Sequence, residues 1–150
     1  MRANDAWEAL LAAHSTLIKE LGRRDIWEDI SMKEYDVLYT LSKCPEPIGL
    51  TELNRHVLLS QPALSRLVDR LAGRGLVSRC ADPVDRRAVL LALTPAGREL
   101  QARVGRRHAR DVAAAMSAAL THDEIGQLAT ITRKLADHVK NLNNSKKEAV

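Results

Sequence analysis

The sequence predicts a mainly α-helical protein with a small β-hairpin wing, organised as a winged helix-turn-helix domain plus a terminal-helix dimerisation region. Apolar residues recur every three or four positions through most of the chain, as they do on one face of a helix. Two short apolar runs, 76–81 and 88–93, are separated by turn-forming residues, which is typical of a hairpin. Aromatic residues make up 3% of the 150 residues and Phe is absent. The core must therefore be aliphatic, a composition that favours helix.

Local signals divide the first half of the chain into helices. A first helix is predicted from the spacing of Trp7, Leu10, Leu11, Leu17, Ile18 and Leu21. The capping box Ser31-Met-Lys-Glu34 opens a second helix, which must end near Cys44 because Pro45 disfavours helix before it. A short third helix follows Gly49. Its predicted buried face consists of Leu50, Leu53, Val57 and Leu58.

The fourth helix is the candidate recognition helix. Ser60 is a predicted N-cap, and Pro62 lies in the first turn, where a missing amide does no harm. The predicted buried stripe consists of Leu64, Leu67, Val68 and Leu71. The opposite, polar side consists of Gln61, Ser65, Arg66, Asp69 and Arg70. A short helix, a tight connection at 58–60 and a second helix with an arginine-bearing face indicate a helix-turn-helix.

Positive charge is concentrated around this helix and the hairpin. Residues 60–98 contain seven arginines, no lysine and three acidic residues, whereas the rest of the chain holds 16 basic and 16 acidic residues. The whole net charge of +4 therefore lies in this stretch. Arginine presents a planar fork that suits phosphate and guanine edges. We expect a DNA-binding surface here; a merely solvated basic surface is the alternative.

The hairpin loop carries adjacent arginines, Arg86 and Arg87. Directly after a recognition helix, such a hairpin is the wing of a winged helix-turn-helix. Its tip can enter a minor groove, whose negative potential attracts arginine. We expect Asp85 to accept a hydrogen bond from Arg87 and to fix its direction.

These motifs resemble the MarR family of bacterial transcriptional regulators. The resemblance rests on Asp85-Arg86-Arg87, the apolar strand after it and Leu93-Thr-Pro-Ala-Gly97, preceded by Leu71 and by Leu76-Val-Ser-Arg79. It implies that the exposed face of the recognition helix and the wing contact operator DNA. The predicted contacts are Ser60, Gln61, Ser65, Arg66, Arg70, Asp85, Arg86 and Arg87.

The two ends of the chain predict a dimer. Thr94 and Pro95 begin a long helix, and Thr121-His-Asp-Glu124 begins a final helix with a heptad-like apolar seam. We expect residues 1–30 and 98–144 to form a dimerisation region, 31–97 the winged helix-turn-helix region and 145–150 a flexible tail. An intramolecular bundle is the alternative. Two recognition helices related by a twofold axis fit a pseudo-palindromic operator with half-sites about 10 base pairs apart.

The resemblance also implies a small effector, often a phenolic or aromatic acid, bound between the dimer helices and the winged domain. Asp36 matches a position that some urate-responsive relatives use for effector binding. Tyr39 and Lys43 lie on the same helix face as Asp36, and His14 and Trp27 could approach from the first helix. The predicted ligand residues are thus His14, Trp27, Asp36 and Tyr39; a solvated or capping role for Asp36 is the alternative.

Other functional classes find less support in the sequence. Cys44 and Cys80 show no metal-ligand spacing and are expected to be small apolar residues, with a redox-sensing regulator as the alternative function. No nucleophile elbow, phosphate loop, metal set or paired carboxylates indicate an enzyme or a cofactor. The longest apolar run is too short to span a bilayer and no secretory signal is evident, so we expect no membrane partner and a cytoplasmic location.

Overall fold

The structure of the chain is a computed structural model that describes residues 2–85 and 88–148. Helices predominate in these ranges, with one small sheet. The elements in chain order are α1 (Ala3–Gly22), α2 (Met32–Lys43), β1 (Ile48–Gly49), α3 (Leu50–Asn54), α4 (Gln61–Gly73), β2 (Val77–Ala81), β3 (Val89–Leu93), α5 (Pro95–Ala119) and α6 (His122–Glu148). The chain forms two compact units, Met1–Ala109 and Arg110–Val150. The predicted mainly α-helical fold with a small β-hairpin wing is confirmed.

The helices begin where the sequence predicts them, because their caps are local. Ser31 Oγ accepts from the Glu34 amide at 3.2 Å, and the Glu34 carboxylate accepts from the Ser31 amide at 2.7 Å. Ser60 Oγ accepts from the Ala63 amide at 3.4 Å at the start of α4. At the start of α5, Thr94 accepts from the Gly97 amide at 3.0 Å. Each cap satisfies an amide that has no partner within its own helix.

The sheet is antiparallel in the order β1-β3-β2. The predicted hairpin pairs Val77 with Leu93 and Ala81 with Val89. On its other edge, β3 pairs with β1 through Ile48 and Leu91. β1 was not predicted, since two residues are too few to show an alternating pattern.

The third helix was predicted too long. α3 ends at Asn54, whose side-chain amide donates to the Leu59 carbonyl at 2.8 Å and so stabilises a turn instead of further helix. Val57 and Leu59 pack against the core, but Leu58, predicted on the buried face, is 90% exposed. The connection between α3 and α4 is consequently the six residues 55–60 rather than the tight turn that was expected.

The core of the first unit lies between α2, α3, α4, the sheet and the start of α5. Its fully buried members include Leu53, Leu64 and Leu71, which were predicted on buried helix faces, together with Leu38 and Val104. α5 starts directly against the chain that enters β2: a Cβ on Gly97 would lie 1.9 Å from the Leu76 carbonyl oxygen. Glycine is required there by close packing.

The first and last helices each keep an apolar stripe partly in solvent. On α1, Trp7, Leu11 and Ile18 are 41–57% exposed. On α6, Leu128, Ile131, Leu135 and Val139 are 38–65% exposed. α6 continues to Glu148 and so includes residues 145–148 of the predicted tail. None of the helices in the described ranges is long and apolar enough to cross a membrane.

Candidate nucleic-acid interface

The predicted DNA-contacting residues of α4 share its solvent side. Leu64, Leu67, Val68 and Leu71 are buried, as predicted, and this orients the opposite face outward. Ser60, Gln61 and Arg66 are exposed near the N-terminus of the helix, and Ser65 is half-buried. This is the end of a recognition helix that contacts base edges in helix-turn-helix proteins.

Among the described arginines of the basic stretch, three form ion pairs within the protein. Arg70 binds the buried Glu34 at 3.5 Å (Nε to Oε1), so a residue predicted to contact DNA also joins α4 to α2. Arg79 of β2 pairs with Asp69 of α4. Arg74, the C-cap of α4, pairs with Asp29. Among the described residues, Arg66 has no ion pair, which leaves its guanidinium available to an external anion.

The wing loop is shaped by its first aspartate. Asp82 Oδ1 accepts from the amides of Val84 at 2.8 Å and Asp85 at 3.3 Å. The Asp82 amide donates to the Ala88 carbonyl at 3.0 Å, and the Ala88 amide donates to the Asp85 carbonyl at 2.9 Å. Asp85 is exposed. Arg86 and Arg87, and with them the predicted bond between Asp85 and Arg87, lie outside the described residues.

The segment between α1 and α2, residues 23–31, forms hydrogen bonds with several elements of the first unit. Trp27 is buried, and its indole nitrogen donates to the Leu21 carbonyl of α1 at 3.1 Å. Both carboxylate oxygens of Glu28 accept from Arg103 of α5 at 3.0 Å. The Asp29 carbonyl accepts from Arg74 at the end of α4, also at 3.1 Å. Consecutive residues thus contact α1, α5 and the C-terminal end of the candidate recognition helix.

Aromatic side chains gather beside this segment. The Trp27 ring lies 5.6 Å from Tyr35 and 5.1 Å from His108, and Tyr35 lies 5.4 Å from His108, centroid to centroid. Tyr39 stacks on Tyr35 at 5.9 Å. Trp27, predicted as a ligand residue, is therefore a buried member of the core. His108 was missed, although it falls at the gap in the apolar spacing Leu100, Val104 and Val112, on the same face of α5.

The remaining predicted ligand residues lie at the surface. Asp36, Tyr39 and His14 are exposed, and the Lys43 ammonium lies 4.9 Å from the centroid of the Tyr39 ring. Desolvation by neighbouring protein atoms raises the pKa of Asp36, and the charge of His108 opposes this rise. A groove of about 510 Å³ lies elsewhere and is lined by Asp29, Arg74, Leu76, Ala96, Glu99, Leu100 and Arg103. It contains none of the four predicted ligand residues.

Both cysteines donate to backbone carbonyls. Cys44 is half-buried and its thiol lies 3.4 Å from the Thr40 oxygen, while the exposed Cys80 lies 3.7 Å from the Leu90 oxygen. Reaction with an oxidant requires the thiolate. Neither contact favours the redox alternative. The described part of the chain has no group of three or more His, Cys, Asp or Glu residues that could hold a metal ion.

Comparison with known proteins agrees with the winged architecture. The model of the MarR family matches residues 30–89. The multiple antibiotic resistance protein MarR of Salmonella typhimurium is 31% identical over 107 residues, which cover 71% of this chain and 74% of that protein. The chain belongs to the MarR family. It is therefore a winged-helix transcriptional regulator, a class of DNA-binding protein. Another relative, the HTH-type transcriptional regulator YkoM of Bacillus subtilis, is 31% identical over 71% of this chain and 66% of its own length.

Solved structures of MarR-family proteins share this fold. Sco3205 of Streptomyces coelicolor, solved in complex with DNA, has a TM-score of 0.76 and 28% identity, over 90% of this chain and 86% of its own. PcaV of the same organism, solved with its natural ligand, has a TM-score of 0.68 and 28% identity, over 91% of this chain and 93% of its own.

Proposed function

We propose that this MarR-family protein is a transcriptional repressor that binds a pseudo-palindromic operator as a homodimer and is released by a small aromatic or phenolic ligand. Ser60, Gln61, Ser65, Arg66 and Arg70 of the recognition helix face the major groove. Asp85, Arg86 and Arg87 of the wing face the adjoining minor groove. A repressor of this kind blocks transcription by occupying the promoter.

One observation carries the DNA-binding proposal: the N-terminal half of α4 presents a polar face whose arginine, Arg66, has no ion pair among the described residues. The neighbouring arginines Arg70, Arg74 and Arg79 hold α4 against α2, the 23–31 segment and β2. Such pairs orient the helix before DNA arrives, and pre-organisation lowers the cost of binding. The relative Sco3205, solved with DNA, supports the same use of the fold.

The partly exposed apolar stripes of α1 and α6 support the homodimer. A second copy of the chain would cover these stripes, which solvent otherwise contacts. Residues 1–30 and 98–144 then serve as the dimerisation region, and 31–97 as the DNA-binding region. The twofold axis places two α4 helices in successive major grooves, about 10 base pairs apart.

The aromatic cluster supports the effector proposal. A flat ligand can extend the stack of Tyr35 and Tyr39, and Lys43 beside Tyr39 supplies a positive charge for a carboxylate or phenolate. Asp36 and His108 provide titratable groups at the same place, and His14 would approach from α1. PcaV, solved with its natural ligand, shows that a relative of this fold binds a small molecule.

Selection of duplexes from a randomised pool tests this function. The purified protein should enrich an inverted repeat, and footprinting should protect two half-sites on a promoter that contains it. Transcription from that promoter in vitro should fall on adding the protein and recover with an aromatic acid such as salicylate or 4-hydroxybenzoate. No enrichment over random sequence would refute DNA recognition. Enrichment without any response to aromatic acids would refute only the effector.

A further inference from the structure

Two large apolar side chains of the described chain stand almost wholly in solvent. Leu58 is 90% exposed and Val84 is 93% exposed. The other exposed large hydrophobic residues reach at most 65%. Leu58 lies in the turn before α4, and Val84 lies in the wing loop. Leu58 therefore directly precedes one of the two elements that face DNA in the proposed function, and Val84 lies in the other.

The backbone fixes the outward direction of Leu58. Its neighbours on both sides, Val57 and Leu59, pack against the core. The Asn54 amide holds the Leu59 carbonyl at 2.8 Å. Because both neighbours are anchored inward, the Leu58 side chain has no inward position to take and projects from the turn.

The basic residues of the turn, Arg55 and His56, lie beside a carboxylate, because both contact Glu52 of α3. Leu58 is more exposed than either of them, at 90%, and its side chain is aliphatic. It offers no hydrogen bond to a phosphate oxygen, so its partner on DNA should be an apolar group.

The position of Leu58 indicates which part of the DNA its side chain would contact. Leu58 precedes the N-cap Ser60 by two residues, so their Cα atoms are at most about 7.6 Å apart. The N-terminal residues of a recognition helix contact base edges in the major groove. The apolar group displayed there is the C5-methyl of thymine, which aliphatic side chains contact.

We propose that Leu58 contacts a thymine methyl group in each operator half-site and so contributes to sequence discrimination beside Arg66. The contact rests on the proposed function, since it requires DNA in register with α4. It adds an apolar determinant to an interface whose other predicted contacts are polar or charged.

Replacing single thymines by uracil tests the contact, because uracil lacks only the methyl group. The operator is the duplex selected from the randomised pool, and each thymine of a half-site is substituted in turn. At one position, uracil should weaken binding of the wild-type protein about fourfold, the effect expected for one buried methyl group. Leu58→Ala should bind the thymine operator at least about fourfold more weakly than the wild type and be indifferent to uracil at that position.

Two variants serve as controls. Leu58→Met keeps an apolar side chain of similar reach and should retain part of the uracil effect. Arg66→Ala should bind weakly but keep the full uracil effect, because it leaves Leu58 in place. The melting temperature of Leu58→Ala should equal that of the wild type, since the side chain is not buried.

The outcomes separate this contact from the proposed function. Tight, selective binding with uracil effects that are the same in the wild type and Leu58→Ala would overturn the contact and leave the function standing. Failure of the wild type to select any duplex would overturn both.

Discussion

Arg103 of α5 donates two hydrogen bonds to the carboxylate of Glu28, a residue whose backbone φ is 56°. The left-handed region is unfavourable for a residue with a side chain, at a cost of about 1–2 kcal/mol. Arg107 approaches the same carboxylate at 3.5 Å. The charged pairing therefore stabilises a backbone conformation that an ordinary residue would avoid.

This pairing predicts an acid-dependent loss of stability. The hydrogen bond from Arg103 lowers the pKa of Glu28, so its contribution is complete above the ordinary glutamate pKa of about 4.3 and is lost as pH falls through the lower, folded-state value. Glu28→Gln should be less stable than the wild type at pH 7, and the difference should shrink toward zero in strong acid. Urea denaturation at several pH values measures this. The exposed Glu46→Gln is the control, and a difference independent of pH would contradict the prediction.

Arg66 and Arg70 lie on the same side of α4 but should respond differently to alanine. Arg66→Ala should weaken specific DNA binding by about 1–3 kcal/mol and relax the preference at one base pair of each half-site, with no change in melting temperature. Arg70→Ala should lower the melting temperature, because it leaves the buried Glu34 without its guanidinium. Titration of selected and single-mismatch duplexes distinguishes them. Unchanged affinity and base preference in Arg66→Ala would show that this face does not recognise DNA.

Asp85 and Arg87 should affect DNA binding by different routes. Arg87→Ala removes a positive charge from the interface, so it should lower the affinity and make the logarithmic salt dependence shallower by about one unit. Asp85→Ala removes a negative charge, yet it should also weaken binding, because Arg87 must then be ordered at the moment of contact. Affinities over a salt series measure both effects. Tighter binding by a stably folded Asp85→Ala would contradict the orienting role of Asp85.

A charge introduced into the apolar stripe of α6 should disrupt the proposed dimer. Leu135 is 50% exposed in the single chain, and a partner would cover it. Leu135→Glu should give monomers or aggregates with much weaker operator binding, because the charge would have no compensation in an apolar seam. Thr130→Glu places the same charge on the other side of α6 and should remain dimeric. Sedimentation of the wild type as a monomer at micromolar concentration would contradict the dimer.

Replacing two glycines, Gly97 and Gly126, by alanine should change the free energy of unfolding in opposite directions. Gly97→Ala should lower the free energy of unfolding by about 3 kcal/mol, because the new methyl group meets the Leu76 carbonyl, a backbone atom that cannot rotate away. Gly126 lies within α6, and a methyl group added there would meet no other part of the described chain within 4 Å, so Gly126→Ala should raise it by about 0.5–1 kcal/mol. Urea denaturation at a fixed protein concentration measures both. A neutral Gly97→Ala would show that α5 can shift away from β2.

The features predicted correctly from the sequence are those whose cause is local. The capping boxes at Ser31 and Thr121 involve residues three apart, and both are present. The hairpin was predicted from two short runs and the turn between them. By contrast, β1 depends on pairing with Leu91, which is 43 positions from Ile48 along the chain. A short stretch of sequence, of the length used to recognise a strand or a hairpin, never contains both partners.

The remaining errors and omissions have two origins, a side-chain contact that ends a helix and ion pairs between distant parts of the chain. The apolar spacing of Leu50, Leu53, Val57 and Leu58 indicated a longer third helix, but the Asn54 side chain ends it. The arginines of residues 60–98 were counted together, whereas two of them, Arg70 and Arg74, have acidic partners that lie much earlier in the chain, Glu34 and Asp29. Charge density indicated the interface. It could not indicate which arginines were already engaged.

The contacts of Trp27, Glu28 and Asp29 limit how the length of the chain can vary. Each of these residues reaches a different element, so one added residue in the 23–31 segment would shift at least one of them along the chain by about 3.8 Å and break its contact. The wing loop, by comparison, is held by the hydrogen bonds of Asp82 and by the pairing of its own ends. Insertions and deletions among homologous chains should therefore accumulate at the wing and be rare between α1 and α2.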